Sequence, residues 1–389
     1  MSWELFLRHY DRAGVIKNAT IAPLWARYAH DLYAGPPLTW ALHEDTVTAL
    51  PNGFAEFDLI EVWLRNRALG VQSGDGGFVS DWVGVIRNAD EQNTNGDGET
   101  LRTFRAYEGK HILTWRSVLW YAGVANRSQF TNAPAETVAK TLVTYNCTTS
   151  AVGGADPLTQ RQRDGDLAAG MGLTISVAAD AGGGDSLSKS FTGQQLLAAL
   201  NTVTALGGGD IALAWQGGAV WQFQYADQLG ADKSSGSNRV LFSLINNTMI
   251  NPRLRRYEAG ATVALAAGQQ EGVARQVSVV TGPDYAANND IEVFVDARNE
   301  ADEAGRVDAG NEKLDSLKAR TELTFDVAQT ADVFYSPVDV TGRKVYRLGD
   351  LVLASYGGDY TRKISHVDVA WQPSGGGEAL QFGVETVPA

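Results

Sequence analysis

The stretch that decides the fold reads DWVGVIRN at positions 81–88, NTNGDG at 93–98 and ETLRTFRAY at 99–107. In the two outer segments apolar and polar residues come at near-alternate positions, which is the pattern of a half-buried β-strand. The Asn-Gly and Asp-Gly pairs between them tolerate the positive φ angles that a tight reversal requires. The sequence therefore predicts a β-hairpin with a well-fixed register.

The residues before this hairpin repeat the strand pattern in short pieces. Strands are predicted at Trp3–Tyr10, Ala13–Ala19, Trp25–Leu32, Thr39–His43, Phe57–Asn66 and Phe78–Asn88. Gly-Pro-Pro at 35–37 and Pro-Asn-Gly at 51–53 separate several of them. We expect residues 1–109 to form a small β-barrel or sandwich.

The pattern changes to helical spacing near Gly109. Helices are predicted at Lys110–Tyr121, at Pro134–Tyr145 and after a capping box, Thr192-Gly193-Gln194-Gln195, whose helix ends at Gly207-Gly208-Gly209. Gly- and Ser-rich stretches at 150–156 and 179–190 are predicted to be loops. Residues 110–237 are therefore predicted to form an α/β insertion domain.

The strand pattern returns at Asn238 and continues to the last residues. The predicted strands are Arg239–Ile245, Thr262–Leu265, Ala274–Thr281, Ile291–Asp296, Glu322–Ala328, Lys344–Leu353, Arg362–Ala370 and Leu380–Glu385. A polar, acidic stretch at 297–319 interrupts them and is predicted to be a loop followed by one surface helix. We expect 238–290 and 340–389 to form a second β-barrel and 291–339 a small α+β segment. The predicted fold class is mainly β with α+β insertions.

Charge and composition exclude several classes of protein. Lys+Arg 32 against Asp+Glu 45 gives a net charge of −13, which repels a phosphate backbone. No apolar run approaches the roughly 18 residues that span a bilayer, and the first residues, with Glu4, lack the basic start of a signal peptide. We expect synthesis and assembly in the cytosol. The single cysteine, Cys147, excludes an intrachain disulfide and a multi-cysteine metal site.

The motifs that suggest chemistry are incomplete. Gly184-Asp185-Ser186-Leu187 spells an esterase signature, but the matching Asp-x-x-His is missing, because Lys363 stands three residues before His366. A calcium loop at 93–99 would need an acid where Arg102 stands. We predict no catalytic residue, cofactor or metal ligand. Two alternatives stay open: a glycoside hydrolase or wall-degrading lyase with paired acids and a Trp-lined cleft, and a carbohydrate-binding β module.

One basic cluster stands out as a candidate interface. Arg253, Arg255 and Arg256 follow Asn251-Pro252 near a predicted strand. They suit contact with the acids of a partner, although three arginines at a strand end are usually a solvated rim.

The C-terminal third resembles a known family. The resemblance is carried by Asn246–Tyr257, by Ala274-Arg275-Gln276-Val277, by Tyr346-Arg347-Leu348-Gly349-Asp350-Leu351-Val352, by Arg362–Val367 and by Phe382-Gly383. These stretches look like the tail hub proteins of long-tailed bacteriophages, the minor tail or baseplate hub family. The N-terminal strands fit the first barrel of that family, so the resemblance covers both ends of the chain.

The resemblance implies a structural protein rather than an enzyme. Hub proteins of this kind form a homotrimer in which each subunit carries two similar small β-barrels related by pseudo-symmetry, so that six barrels make a pseudo-sixfold ring. The implied neighbours are a distal tail protein ring above, a tape-measure protein within, and tail tip or fibre proteins below. The implied location is the tail tip of the virion, where DNA passes through the ring during ejection without specific binding.

Overall fold

The computed structural model of the chain describes residues 3–66, 76–87, 91–94, 98–119, 128–148, 172–300, 302–328, 330, 332–340, 342–374 and 377–388. Strands make up 49% of it, which confirms the mainly β class. The helices are α1 (Glu44–Ala49), α2 (Ala135–Cys147), α3 (Leu196–Gly207) and α4 (Glu303–Leu317), with 3-10 turns at Gly109–Trp115 and Gly272–Ala274. Among the described residues, no helix has the length and apolarity needed to cross a membrane.

Most strands lie where they are predicted, but the strand predicted at Lys344–Leu353 divides in two around Gly349, and residues 249–257, outside the predicted strands, form a further strand. The strands are β1 (Trp3–Tyr10), β2 (Ile16–Ile21), β3 (Trp25–Asp31), β4 (Leu38–His43), β5 (Leu59–Asn66), β6 (Val79–Ile86), β7 (Glu91–Thr94), β8 (Thr100–Glu108), β9 (Ser128–Pro134), β10 (Thr174–Val177), β11 (Ser186–Phe191), β12 (Asp210–Trp215), β13 (Val220–Ala226), β14 (Asp232–Lys233), β15 (Leu241–Ser243), β16 (Met249–Tyr257), β17 (Val263–Ala267), β18 (Val277–Thr281), β19 (Glu292–Asp296), β20 (Arg320–Val327), β21 (Val333–Tyr335), β22 (Lys344–Tyr346), β23 (Leu351–Ser355), β24 (Asp359–Ser374) and β25 (Gly377–Pro388).

Fifteen strands from both ends of the chain form one continuous sheet. Its main path runs β16-β20-β25-β24-β3-β4-β8-β6-β5-β1-β2, and β7, β14, β15 and β23 attach beside it. The joint is the antiparallel pair of β24 and β3, from His366 opposite Asp31 to Trp371 opposite Ala26. In the described residues this path is open at β16 and β2, so the strands do not close into two separate barrels. The reason is that the free side of β3 pairs with β24, which belongs to the C-terminal strands.

The core repeats this union of the two ends of the chain. One buried cluster contains Trp40 and Phe104 from the N-terminal strands together with Phe242 and Tyr346 from the C-terminal ones. The Trp40 and Phe104 rings stack with centroids 5.4 Å apart, and the Phe242 and Tyr346 rings meet edge-on at 5.2 Å. Since apolar burial is the largest favourable contribution to folding, the two ends stabilise each other.

A buried carboxylate also joins the two ends. Asp81 of β6 accepts hydrogen bonds from the hydroxyls of Tyr28 and Tyr335, each at 2.5 Å, and its Oδ2 lies 3.3 Å from Nε2 of His30. Burial raises the pKa of both tyrosines, and the nearby carboxylate raises it further. Both hydroxyls therefore stay protonated and act as donors, which satisfies a charge that would otherwise be costly to bury.

A second core lies under the middle of the chain. It contains Val138 and Leu142 of α2, Leu200 of α3, and Trp221 and Phe223 of β13. The helix predicted at Pro134–Tyr145 is confirmed as α2. The stretch 179–190, predicted to be a loop, instead contains most of β11, which pairs with β9 and buries Leu187 and Phe191 in this core. The loop predicted at 150–156 and residues 95–97 of the hairpin turn lie outside the described residues.

Two helix predictions in this region were wrong in their details. The helix predicted at 110–121 is a 3-10 turn that ends at Trp115, because the next residues are extended: Val118 N–H donates to Gln194 O and Leu196 N–H donates to Arg116 O. The predicted capping box is not formed, since α3 begins only at Leu196 and its N-cap, Gln195, makes no side-chain capping bond. The predicted end is confirmed at Gly208, whose φ of 74° suits glycine.

A small α/β unit occupies the interval between β16 and β20. Its three strands lie in the order β18-β17-β19, and α4 packs on one face of this sheet. The helix predicted for the second half of 297–319 is confirmed, and it begins earlier, at Glu303, where the Asp302 carboxylate accepts a bond from Gly305 N–H at 2.8 Å.

Acids of this unit anchor it to β11. Ser188 N–H donates to Asp308 at 2.5 Å, the Lys189 ammonium lies 2.6 Å from Glu312, and Ser190 N–H donates to Glu300 at 3.1 Å. Burial raises the pKa of Asp308. The unit is thereby attached to β11 through α4 and Glu300, while α4 packs on one face of its sheet.

Candidate assembly surfaces

Strand β16 carries the three arginines that the sequence singled out. It forms one end of the fifteen-stranded sheet and pairs with β20 alone among the described strands. Arg253, Arg255 and Arg256 are all exposed on it. A bulge precedes Arg253, where Asn251 has a φ of 50° and Pro252 lacks an N–H group. The structure thus places the arginines together on a free sheet edge.

The charges around these arginines leave the edge basic. Arg320 of β20 stacks over the ring of Tyr257, with its guanidinium carbon 4.8 Å from the centroid, and bonds Glu322 at 2.9 Å. That bond, with help from Arg255, lowers the pKa of Glu322. Arg253 and Arg256 have no ion-pair partner among the residues that the structure describes. The net charge of the chain is −13, so this edge is a local patch of positive charge on a negatively charged protein.

An open cleft of about 610 Å³ lies beside Arg253 on the outer face of the sheet. Its wall includes His366, whose Nδ1 lies 2.8 Å from Asp31. Hydrogen bonds to Asp31 and Asp368 raise the pKa of His366 to about 10, so the imidazole is cationic at neutral pH. The cleft is also lined by three acids, Asp326, Asp368 and Glu385. Together with Arg253 and His366, they give the cleft charges of both signs.

The residues of the incomplete esterase motif do not come together. Ser186 begins β11 in a two-stranded sheet with β9, whereas His366 lies in β24 of the large sheet and bonds Asp31. Lys363, at the position where the motif requires an acid, pairs instead with Asp210 at 2.6 Å. In the described part of the chain no hydrogen bond joins Ser186 to His366, and no cluster of three or more potential metal ligands is present.

The sheet of the small α/β unit exposes an apolar face. On the side opposite α4, Val279, Leu265 and Phe294 form one row across the three strands. Val279 is 66% exposed and Phe294 59%. Sheet faces that meet water are normally polar, so this face is suited to contact with another protein.

Sequence reasoning missed this face, although a signal was present. The strand sequences VSVVT at 277–281 and EVFVD at 292–296 carry apolar residues at both odd and even positions. That pattern indicates a strand with both faces covered rather than one. Among the described residues, α4 covers one face of this sheet, and the other face is exposed.

Strand β19 is the free edge beside this face. It pairs only with β17 among the described strands, and it places Glu292 and Asp296 on either side of Phe294. Asp296 lies 2.9 Å from Arg275 and 2.6 Å from Arg298. Glu292 and the preceding exposed Asp290 have no ion-pair partner in the part of the chain that the structure describes. The unpaired charges that the structure describes beside Phe294, on Asp290 and Glu292, are therefore negative, whereas the unpaired charges of β16 are positive.

Comparisons with solved structures give full-length matches to the fold. The 43 kDa tail protein of prophage MuSo2 from Shewanella oneidensis is 12% identical, with a TM-score of 0.55 over 100% of this chain and 98% of that one. The lidless PdpA-VgrG complex matches at 8% identity and a TM-score of 0.53, and the half-lidded Francisella PdpA-VgrG complex at 8% and 0.50. This chain spans 66% and 59% of the length of those two matched chains.

The sequence itself matches one family model. The model describes the Siphovirus ReqiPepy6 Gp37-like protein and matches residues 63–383, most of the chain. No curated protein matches the chain. The predicted membership of a bacteriophage tail protein family is confirmed by this match, and the fold agrees with it. The chain therefore belongs to the family of Siphovirus ReqiPepy6 Gp37-like proteins.

Proposed function

We propose that this chain is the hub of the tail tip, a homotrimer that joins the distal tail protein ring to the tip and surrounds the channel for DNA ejection. The observation that carries the proposal is the end-to-end agreement of the fold with a tail protein, over 100% of this chain and 98% of the other. Membership of a phage tail protein family implies a structural protein of the virion tail, and the trimeric hub is the finer proposal.

We assign the parts of the chain to these roles by the domain boundaries predicted from the sequence. We assign the hub itself to residues 1–109 together with the predicted 238–290 and 340–389, the insertion domain to 110–237 and the small α+β segment to the predicted 291–339. Within these bounds, β17 and β18 belong to the small unit, and β20 belongs to the large sheet of the hub. The joint core of the two ends supports this assignment, because a ring subunit needs one rigid body that spans its width. Arg253, Arg255 and Arg256 form part of an interface in this proposal.

The partners follow from the position of a hub in the tail. The distal tail protein ring lies above, the tape-measure protein within and tip or fibre proteins below, and assembly takes place in the host cytoplasm. DNA passes without specific binding, since a net charge of −13 disfavours contact with phosphates. The role needs no cofactor and no catalysis, because a ring protein acts by presenting fixed interfaces.

Counting the copies in the particle tests the stoichiometry. Native mass spectrometry of tail tips released from the parent virion should give three copies of the 41.7 kDa chain in each tip. The physical reason is that a closed cyclic ring fixes the number of subunits. One copy, or a number that is not a multiple of three, would contradict the trimer.

A further inference from the structure

Two edge strands of this chain are each free on one side. β16 ends the fifteen-stranded sheet, and β19 ends the three-stranded sheet of the small unit. Unpaired edges present a row of backbone donors and acceptors that can bond a strand of another chain. β16 has nine residues and β19 has five, so β16 can cover β19 along its whole length.

The two edges carry opposite charges. β16 presents Arg253, Arg255 and Arg256, and β19 presents Glu292, while its Asp296 is already paired with Arg275 and Arg298. Arg253, Arg256 and Glu292 lack ion-pair partners among the described residues, so these charges are available for pairing across an interface. Opposite charges on facing strands stabilise a pair, whereas two copies of β16, or two of β19, would repel each other.

Exposed apolar side chains accompany both edges. Tyr257 is 38% exposed and Ile250 44% on β16, while Phe294 is 59% exposed on β19 and adjoins the apolar face of the small sheet. Charge alone gives specificity with little affinity at a solvated surface. Buried aromatic and aliphatic contacts of this kind supply the affinity.

We propose that β16 of one subunit pairs with β19 of a second copy of this chain, and that this strand pair is the contact that repeats around the ring. The inference rests on the proposed function, since it names the surfaces that the hub would use. The contact joins two different surfaces, so it is heterologous and produces a ring when the rotation closes. It also places a protein neighbour beside the exposed face of the small sheet.

Cysteine pairs in assembled tails test the contact directly. Arg253→Cys and Arg255→Cys are each combined with Glu292→Cys. Two pairs are used because the register of β16 against β19 decides which of the two positions faces position 292. The control pair is Thr20→Cys with Glu292→Cys, since Thr20 is exposed on β2, the opposite edge of the large sheet. Cys147 is buried and stays in place in all variants. We expect at least one test pair to give cross-linked dimers and trimers on a non-reducing gel, and the control pair to give none.

Charge reversal gives a second readout that does not depend on register. Arg253→Glu, Arg255→Glu and Arg256→Glu together should abolish trimers, and adding Asp290→Arg and Glu292→Arg should restore them. Arg239→Glu, at an exposed arginine between β14 and β15 and thus on neither edge strand, should leave the trimer intact. Trimers in the particle with neither cross-links nor an effect of reversal would overturn the strand pair and leave the hub standing. A chain that is monomeric in the particle would overturn both.

Discussion

His366 illustrates at the level of a residue how an apparent catalytic group becomes structural. In the sequence it is the C-terminal histidine that an esterase motif would need, but its ring bonds Asp31 of β3 at 2.8 Å and lies near Asp368 of its own strand. Because β3 comes from the N-terminal strands and β24 from the C-terminal ones, the ion pair fastens the joint between the two ends of the chain.

The stability conferred by His366 should depend on pH with a definite sign. Its pKa is raised from 6.5 to about 10, so its contribution is complete below pH 6.5 and disappears as the pH rises through 10. His366→Gln should therefore lower the free energy of unfolding by about 1.5–3 kcal/mol near pH 6, the usual size for a hydrogen bond to a charged group. Denaturant titrations of both proteins over this range check it. An equal difference at pH 6 and above pH 10 would contradict the assignment.

Among the elements, α4 owes much of its stability to the cap at its first turn. Its sequence is polar and acidic, and few of its side chains are buried, so packing alone holds it weakly. The Asp302 carboxylate satisfies Gly305 N–H at 2.8 Å, and the helix in turn carries Asp308 and Glu312, which bond β11. The cap thus supports the attachment of the whole small unit.

Removal of this cap gives a prediction at the scale of the helix. Asp302→Ala should cost about 1 kcal/mol of stability, the typical value for an N-cap. Asp302→Ser, which can also cap, should recover most of it. Thermal unfolding and amide exchange of residues 303–317 measure the two variants. An alanine variant with unchanged exchange in the first turn of α4 would show that the cap is unimportant.

The elements also show which features the sequence could predict. The bounds predicted for strand β1 are confirmed, because Trp3–Tyr10 mixes apolar and polar residues at near-alternate positions. The 3-10 turn at 109–115 was not predicted, since the extended chain after it is imposed by bonds to residues 193–196, far away in sequence. Local patterns predict local elements, whereas the pairing of β3 with β24 depends on residues more than 300 positions apart.

At the scale of the whole molecule, the sequence predicts one of the two candidate surfaces, the arginines of β16, but not the apolar face of the small sheet. The arginines of β16 stand out by their charge, and their exposure follows from the place of β16 at the end of the sheet. The apolar face of the small sheet has a local signal, but a strand sequence does not tell which of its faces the chain itself covers. That distinction needs the position of α4, which only the folded structure gives.

The central claim concerns the assembled particle, and a three-dimensional reconstruction of the virion tail tip tests it most directly. We predict three copies of this chain in a closed ring around an axial channel, with β16 and β19 at the contact between neighbours and residues 1–109 and the C-terminal strands arranged with pseudo-sixfold spacing. A single copy on the axis, or a ring whose subunits present neither free edge to a neighbour, would contradict the account.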